Sequence, residues 1–348
     1  MNRVSTTDVL IGIQALQTRA SDFERIFRTI AAPATGRWPG LLIWMETHPE
    51  CEPWGILIER DGDLVAAAIL TRYRHFGLWC IGKPGGPCDQ VRFGAVDDGA
   101  AAKLAEAICD AVRGFGGPWR LQVSDLPYPD PVATHLRSAW PHSQTQLDLP
   151  MPCLLFAPGA SLNTYLSRNT RAAVAKARNR IQHDGIQMVQ KWTRDPKQIL
   201  ELMPQIIDIY RRRDHQLRGR SLIDNPATER FFLAFVAEHA RQGLIDLLTI
   251  HLERELAAFA LCLLDNGEYL VLVNRVSPAW LHYSAGTIAN AEVIRHAFED
   301  PNSHSVNWSG GPQRYKLSGE VTLIPRQTLY AWSSVAVRLL THLRVVMA

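Results

Sequence analysis

The stretch NRVSPAWLHYSAGTIANAEVIRHAFED, residues 274–300, joins the end of a predicted strand, 268–276, to a predicted helix, 286–299. The first backbone N–H groups of a helix have no internal acceptor and lie at the positive end of its dipole. This helix start is therefore a candidate site for an anion such as a pyrophosphate, and the alternative is an ordinary N-cap by Ser284. The four residues at the candidate site are Ser284, Ala285, Gly286 and Thr287.

The surrounding residues predict helices, an antiparallel meander, a helix and a last strand. Strands are expected at 244–251, 256–264, 268–276 and 305–309, and Asp265-Asn266-Gly267 is a hairpin signal. Upstream, Ser161 is expected to cap a helix that runs to Asp184. The pairs Asp195-Pro196 and Asn225-Pro226 each predict a further helix start, and Pro204 is expected to kink or split the first of these two helices.

The first half of the chain repeats this order of elements. Strands are expected at 54–60, 64–73, 76–81 and 119–124, with a helix at 99–113. We interpret the match as two copies of one fold. Prolines crowd residues 126–161, so the predicted boundary is near 150, with units 1–150 and 151–348. The alternative is a rigid excursion within one large domain.

Composition and length restrict the class of protein. The 348 residues suit two domains, and 47% hydrophobic with 20% charged residues is a globular composition. We find no apolar run of about 18 residues and no signal peptide, so we expect a cytoplasmic protein without a transmembrane segment. The six cysteines show neither C-x-x-C pairs nor zinc-finger spacing, which favours reduced thiols and no metal over three disulfides.

Positive charge is concentrated in one region. Residues 1–150 carry 14 Lys and Arg against 17 Asp and Glu, whereas residues 168–220 carry 13 against 5. An anionic partner is expected there, and a solvated helical face is the alternative. The arginines that we expect to bind an anion or the acceptor are Arg168, Arg171, Arg178, Arg211 and Arg212.

Three further stretches extend the pattern: HSVNWSGG, QRYKLSGE and the basic helix YLSRNTRAAVAKARNRIQHDG. Together with the meander and SAGTIANAEVIRHAFE, they resemble the C-terminal half of the GNAT-like acetyltransferases of the CelD/BcsL group, which are associated with cellulose and polysaccharide biosynthesis. That group is similar to the Fem aminoacyltransferases, which share the basic helix. The resemblance covers roughly residues 160–330, and Ala285-Gly286 stands where Pro-Gly is usual.

The resemblance implies an α/β (α+β) protein with two tandem GNAT-like units, each a mixed, largely antiparallel sheet flanked by helices. It implies transfer of an acetyl or other acyl group from acyl-CoA to an amine or hydroxyl on a small-molecule, sugar or peptidyl acceptor. The CoA would be held by Ser284, Ala285, Gly286, Thr287, Val273, Asn274 and Lys316. In this interpretation the strand 268–276 aligns the pantetheine arm, and Lys316 neutralises a phosphate.

The catalytic candidates follow from the chemistry of acyl transfer, which ends with protonation of a leaving thiolate. Tyr315 is the candidate proton donor, because a phenol has a pKa near 10, and its alternative role is packing. His215 with Asp214, or Glu268 at the start of the strand, are candidates for the general base.

Two other functions remain open for this sequence. One is a Fem-like aminoacyltransferase that takes its aminoacyl group from charged tRNA, and the other is a non-catalytic binding protein with a degenerate fold. The N-terminal unit is expected to have lost CoA binding. Its stretch Gly82-Lys83-Pro84-Gly85-Gly86-Pro87 lacks P-loop spacing and predicts a turn.

Overall fold

The computed structural model describes residues 5–85 and 92–346. The chain forms two compact units, each built around one sheet. We call them the first unit, Met1–Asp148 with Pro325–Ala348, and the second unit, Leu149–Ile324.

The strands of the described residues, in chain order, are β1 Ser5–Ile11, β2 Glu52–Arg60, β3 Asp63–His75, β4 Leu78–Gly82, β5 Gly94–Ala95, β6 Trp119–Pro127, β7 Ser143–Leu147, β8 Met151–Leu155, β9 Met188–Thr193, β10 Ile245–Leu252, β11 Glu255–Asp265, β12 Glu268–Val276, β13 Ser305–Asn307, β14 Thr322–Ile324 and β15 Arg326–Trp332. The helices are α1 Ile13–Thr18, α2 Ala20–Thr29, α3 Gly40–Thr47, α4 Asp98–Gly114, α5 Pro131–Ala139, α6 Leu162–Tyr165, α7 Arg168–His183, α8 Pro196–Arg218, α9 Pro226–Arg241, α10 Ala285–Glu299 and α11 Val335–Val346.

The first sheet has the order β1-β2-β3-β4-β6-β15-β7, with β5 paired to β3. Its neighbours are antiparallel except β4 and β6, which are parallel. Its core contains Trp54 and Ile56 of β2, Leu104 and Ile108 of α4, and Leu136 of α5, each at most 1% exposed. The amphipathic helices α4 and α5 therefore bury one face of this sheet.

The second sheet has the order β14-β8-β13-β12-β11-β10-β9, and only its β12–β13 pair is parallel. Alternate residues of β10, such as Leu248 and Ile250, point into a core with Ile181 of α7 and Ile288 of α10. The helices α8 and α9 contact β12 and β10 without joining this cluster. The start of α10 is thereby fixed close to the end of β12.

The two units repeat one order of elements. In both, a three-stranded antiparallel meander leads through a helix to a strand parallel to the third: β2-β3-β4-α4-β6 and β10-β11-β12-α10-β13. The prediction of two copies of one fold is confirmed. The hairpin at Asn266 and Gly267 is confirmed as well, since both residues have positive φ, 48° and 76°.

The units exchange their last strands. β8 follows β7 along the chain but pairs with β13 and β14 of the second sheet, whereas β15 follows β14 but pairs with β6 and β7 of the first. The predicted unit 151–348 is therefore wrong for residues 325–348. The physical reason is that Leu329 and Ala331 of β15 are fully buried in the first core, opposite Val123 and Leu121.

One predicted helix boundary also needs correction, and one of the two alternatives for Pro204 is excluded. The helix expected from Ser161 is broken after Tyr165, because the hydroxyl of Ser167 accepts the N–H of Thr170 at 3.2 Å and starts α7 as a second N-cap. The helix α8 runs through Pro204 without being split. The predicted caps Asp195 and Asn225 are confirmed. Their side-chain oxygens accept hydrogen bonds from the amides of Lys197 at 3.0 Å and Ala227 at 2.9 Å.

The strand exchange predicts a selective effect of truncation. A chain of residues 1–324 lacks β15, so the facing edges of β6 and β7 lose their ladder partners. We expect the β6 amides to exchange with deuterium much faster than in a chain of residues 1–334, which keeps β15 and lacks only α11. Hydrogen-exchange mass spectrometry measures this, with β10 and β11 as internal reference. Equal β6 protection in the two truncated chains would refute the exchange.

Candidate functional site

A cavity of about 410 Å³ lies in the second unit at the start of α10. Its lining comes from four elements: α8 (Arg213, Asp214, Leu217, Arg218), β12 (Asn274, Arg275, Val276), the segment around the α10 start (Leu281, Ser284, Gly286, Thr287, Asn290) and the loop with Gln313 and Tyr315. Phe259 of β11 and Ala289 of α10 complete the lining. The fold thus brings six of the predicted site residues to one cavity: Asp214, Asn274, Ser284, Gly286, Thr287 and Tyr315.

The start of α10 has no side-chain cap. Ser284 occupies the N-cap position with a left-handed backbone, φ 55°, and its side chain accepts no amide of the helix. The Thr287 N–H donates to the Ser284 carbonyl at 2.9 Å. Among the described residues, the amides of Ala285 and Gly286 have no backbone or side-chain acceptor. Their position at the positive end of the helix suits an anionic group.

The neighbouring strand β12 has an open edge. Its parallel pairing with β13 covers only Glu268 to Leu270, opposite Ser305 to Asn307. Within the described strands, residues 271–276 pair with β11 on one side and with no strand on the other. Such an edge leaves peptide groups available to an extended ligand. The open segment ends at Val276, which lies 3.5 Å from the position of a Cβ on Gly286.

A short chain of hydrogen bonds fixes Tyr315 in the cavity. Its hydroxyl donates to Oδ1 of Asn274 at 3.3 Å, and Nδ2 of Asn274 donates to Oδ1 of Asn290 at 2.7 Å. The Tyr315 residue is 43% exposed, yet burial raises the pKa of its hydroxyl above the ordinary value, against the opposing effects of Arg275, Asn274 and Arg218. The phenol is therefore protonated at neutral pH and able to donate.

The cationic side chains of the cavity differ in how they are paired. Arg275 donates to the buried carboxylate of Asp214 at 2.9 Å and stacks on Tyr210, 4.6 Å from the ring centroid. Asp214 is thus held in an ion pair that neutralises it. Arg218 makes no ion pair within the described part of the chain and lowers the pKa of Tyr315 through its charge. The cavity keeps a net positive character.

Two predicted bases lie away from the cavity. His215 is on α8 but its Nε2 lies 2.8 Å from Oδ2 of Asp224, so its carboxylate partner is Asp224 rather than Asp214. The pKa of Asp224 is lowered, first by the Ser221 amide and then by His215. Glu268 accepts from Nδ2 of Asn307 at 3.0 Å, at the end of β12 remote from Val276. Neither side chain lines the cavity.

The side chains of Lys316 and Val273 are buried in the protein and do not line the cavity. Nζ of Lys316, in a residue only 6% exposed, donates to the carbonyls of Gly310 at 2.7 Å and Ser309 at 3.4 Å. It therefore closes the turn that carries Tyr315. Val273 is 5% exposed and is not part of the cavity lining. Ala285 is fully buried, its amide included, and does not line the cavity.

The predicted anion-binding arginines fall into two groups. Arg211 pairs with Asp224 at 3.4 Å and Glu229 at 3.2 Å, and Arg212 pairs with Asp208. Both side chains are therefore already paired, with partners from the preceding turn of α8 and from the region where α9 starts. In contrast, Arg168, Arg171 and Arg178 on α7 make no ion pair within the described residues.

Sequence reasoning gave no role to two polar residues of the cavity, Arg275 and Asn290. A signal existed for Asn290, which lies four residues after Gly286 and therefore on the same face of α10. Arg275 directly follows Asn274, but its ion pair with Asp214 joins residues 61 positions apart. No local pattern reveals such a contact.

The corresponding helix start in the first unit is closed. Oδ1 of Asp97 accepts the Ala100 amide of α4 at 2.7 Å, and Arg60 pairs with the same carboxylate at 2.7 Å. A carboxylate thus occupies the place where an anionic ligand would bind. Of the glycine- and proline-rich stretch before α4, Gly86 and Pro87 lie outside the described residues.

Three further properties concern metals, cysteines and membranes. In residues 5–85 and 92–346, no group of three or more His, Cys, Asp and Glu side chains is arranged to hold a metal ion. Cys51, Cys80, Cys109, Cys153 and Cys262 form no disulfide, and Cys88 lies outside the described residues. None of the helices in the same ranges is both long and apolar enough to cross a bilayer.

Comparison with protein families places this cavity in a known type of domain. Residues 168–317 match the profile of the family described as Acetyltransferase (GNAT) domain. This segment contains β12, the start of α10 and Tyr315. No curated protein matches the chain.

Solved structures resemble the chain over nearly its whole length. FemX has a TM-score of 0.59 at 11% identity, over 89% of this chain and 95% of its own. A conserved protein of unknown function from Bacteroides thetaiotaomicron has 0.54 at 12%, over 90% and 97%. The C-terminal DUF2156 domain of a putative lysylphosphatidylglycerol synthetase from Agrobacterium fabrum has 0.54 at 11%, over 94% and 96%. At this identity the likeness concerns the fold, and the chain has two GNAT-like units.

The loop that carries Tyr315 depends on Gly319, which has φ 75°. A Cβ there would lie 2.3 Å from the Tyr165 carbonyl oxygen, so Gly319→Ala must displace the loop or α6. Gly185→Ala is the matched control, because its φ is 69° and a Cβ would meet nothing within 4 Å.

We expect Gly185→Ala to cost about 1–2 kcal/mol from its left-handed backbone, and Gly319→Ala roughly 1–3 kcal/mol more from overpacking. Urea unfolding followed by tryptophan fluorescence measures both variants. Equal destabilisation would show that the contact with Tyr165 does not hold the loop.

Proposed function

We propose that the second unit transfers an acyl group from acyl-CoA to an amine or hydroxyl acceptor. The observation that carries the proposal is the uncapped start of α10, where the unbonded amide of Gly286 lies beside a cationic cavity and the open edge of β12. The family profile that matches residues 168–317 supports the same reaction class.

The donor would bind through its phosphates and its extended arm. The amide of Gly286, at the positive end of α10, suits a pyrophosphate. Arg218 can also approach this group, because it has no carboxylate partner among the described residues. The pantetheine arm would lie along residues 271–276, where its amide groups can pair with peptide groups of β12. This places the thioester beside Asn274 and Tyr315.

The chemistry then needs one proton at the leaving sulfur. The acceptor nitrogen or oxygen attacks the thioester carbonyl, its bond to the acyl carbon forms, and the carbon–sulfur bond breaks. Tyr315 donates its proton to the departing thiolate, and Arg275 and Arg218 stabilise the phenolate that remains. Because His215 and Glu268 lie outside the cavity, we propose that a neutral amine attacks and releases its own proton to water afterwards.

The first unit has a different role in this proposal. Asp97 caps α4 with a carboxylate and so disfavours a CoA pyrophosphate there. We propose that the first unit does not bind the acyl donor.

A second candidate, aminoacyl transfer from tRNA as in the Fem aminoacyltransferases, is favoured by one observation. The helix α7 carries five basic and no acidic side chains, and none of the five forms an ion pair within the described residues. An extended basic face of this kind suits a polyanion. If the donor is acyl-CoA, we propose that the chain is an acetyltransferase of the CelD/BcsL type.

Thermal unfolding with acetyl-CoA tests the first proposal. Ligand at a hundredfold excess over Kd adds about 2.7 kcal/mol of stability, which corresponds to a rise in Tm of several degrees. Gly286→Trp should abolish the rise, because its side chain enters the cavity beside Val276. Gly114→Trp, where a Cβ would meet nothing within 4 Å, is the matched control and should keep it. Tyr315→Phe should also keep it, since the hydroxyl acts in the chemical step.

Three outcomes separate the candidates. A rise in Tm that Gly286→Trp removes supports the acyl-CoA donor. Absence of any rise at millimolar acetyl-CoA, or a rise that persists in Gly286→Trp, contradicts the proposed site. Tight tRNA binding that weakens steeply with salt, without an effect of acetyl-CoA, supports the second candidate instead.

A further inference from the structure

The first unit contains a separate cavity of about 430 Å³ that the proposed acyl transfer does not use. Its floor is formed by β3, β4 and β6 where these strands lie side by side. Trp44 of α3 and Cys51 contribute to its wall, and Trp44 is stacked on His48 at 4.4 Å. All of the lining residues belong to the first unit.

Two rows of side chains cross the floor. Tyr73, Cys80 and Arg120 are register partners across β3, β4 and β6, and Thr71, Gly82 and Gln122 form the next row. Residues two apart in a strand share a face, so both rows point into the cavity. Gly82 stands in the middle of the second row and leaves the space above the floor empty. A Cβ there would meet only the Gln122 carbonyl, at 3.4 Å.

The sheet face that forms the floor of the cavity carries polar side chains, whereas the opposite face of the same strands is apolar. Leu121 and Val123 of β6 point the other way into the apolar core, while Arg120, Gln122 and Ser124 line the cavity. The deepest polar residues, Thr71 and Cys80, are only 4% and 3% exposed. Burial of polar groups costs free energy unless they find partners. Oγ1 of Thr71 donates to the Gly82 carbonyl at 3.4 Å and Sγ of Cys80 accepts from Arg120, so both groups already have a protein partner. The floor is therefore polar without being strained by unpaired groups.

The charges in the cavity favour an anion. Nε of Arg120 donates to Sγ of Cys80 at 3.2 Å, and its guanidinium also bonds the Tyr73 hydroxyl, so its partners are a thiol and a phenol. Among the described residues it forms no ion pair with a carboxylate. Nζ of Lys83, on a side chain 9% exposed, lies 3.8 Å from the carboxylate of Asp125. Arg120, Lys83 and Asp125 together leave one positive charge in excess.

We propose that this cavity binds the carboxylate of a small organic molecule, with Arg120 as its anchor and the space above Gly82 occupied by the rest of the molecule. A guanidinium presents parallel N–H groups that match a carboxylate. One excess positive charge balances one carboxylate, whereas the second charge of a phosphate would lie unbalanced near Asp125.

Cys80 provides a reporter for this site, and iodoacetate is the probe. Its carboxylate binds Arg120 and places the methylene near Sγ of Cys80. The sulfur attacks this carbon, the sulfur–carbon bond forms, the carbon–iodine bond breaks, iodide leaves and the thiol proton passes to solvent. Iodoacetamide undergoes the same reaction without the negative charge. Peptide mass spectrometry of the full chain follows Cys80, and the same peptide from chain labelled in concentrated urea gives the reference ratio of the two rates.

We expect iodoacetate to label Cys80 at least about tenfold faster than iodoacetamide, because the local positive potential concentrates the anion. The rate should saturate with iodoacetate concentration, and the preference should be absent when the chain is unfolded in urea. Equal rates for the two reagents at Cys80, or no labelling of Cys80 by either, would overturn the proposal.

Two variants separate binding from folding. Arg120→Gln keeps a hydrogen-bond donor beside Cys80 and Tyr73, and it should remove the preference for iodoacetate while Tm stays close to that of the parent chain. Gly82→Leu should fill the cavity without backbone strain and block labelling of Cys80. A preference that persists in Arg120→Gln, or labelling of Cys80 that persists in a folded Gly82→Leu chain, contradicts the assignment.

Discussion

The candidate site depends on two backbone amides that the fold leaves without an acceptor. Ala285 and Gly286 begin α10 with their N–H groups unbonded, and Ser284 has a left-handed backbone that turns its side chain away from the usual capping role. Unpaired donors are costly when they are buried, so they are expected where a ligand or solvent supplies the acceptor. The short pairing of β12 with β13 keeps the adjacent strand edge open for the same ligand. The cavity, its arginines and Tyr315 are arranged around these groups.

The exchange of last strands explains how the chain builds two sheets from one repeated plan. Each unit needs a strand beside its parallel pair, and the chain supplies this strand from the segment that follows the other unit. β15 buries Leu329 and Ala331 in the first core, and β8 buries Leu154 in the second. The first unit is therefore complete only when the last segment of the chain has been added to it.

Local patterns predict the parts of this fold whose signals are local. The turn at Asn266 and Gly267, the caps Asp195 and Asn225, and the repeat of meander, helix and strand follow from residue types and spacing. Local patterns do not show that residues 325–348 belong to the first unit, because β15 pairs with a strand about 200 positions earlier. The break before α7 does not follow from local pattern, because Ser161 and Ser167 carry the same capping signal and only Ser167 caps a helix with its side chain.

Site prediction has the same limit. The α10 start, Asn274 and Tyr315 come together as the pattern suggests, whereas the ion pair of Arg275 with Asp214 and the pairing of His215 with Asp224 depend on tertiary contacts. A count of charges along the sequence also overestimates how many arginines of α8 lack a partner, since Arg211 and Arg212 form ion pairs with Glu229 and Asp208.

A crystal structure of the chain with CoA decides whether the start of α10 binds the phosphates of an acyl donor through the Gly286 amide. We expect a pyrophosphate oxygen about 3 Å from this nitrogen, with the pantetheine arm beside residues 271–276. CoA bound at another place, or a side chain of the protein bonded to this amide in the complex, would refute the proposal.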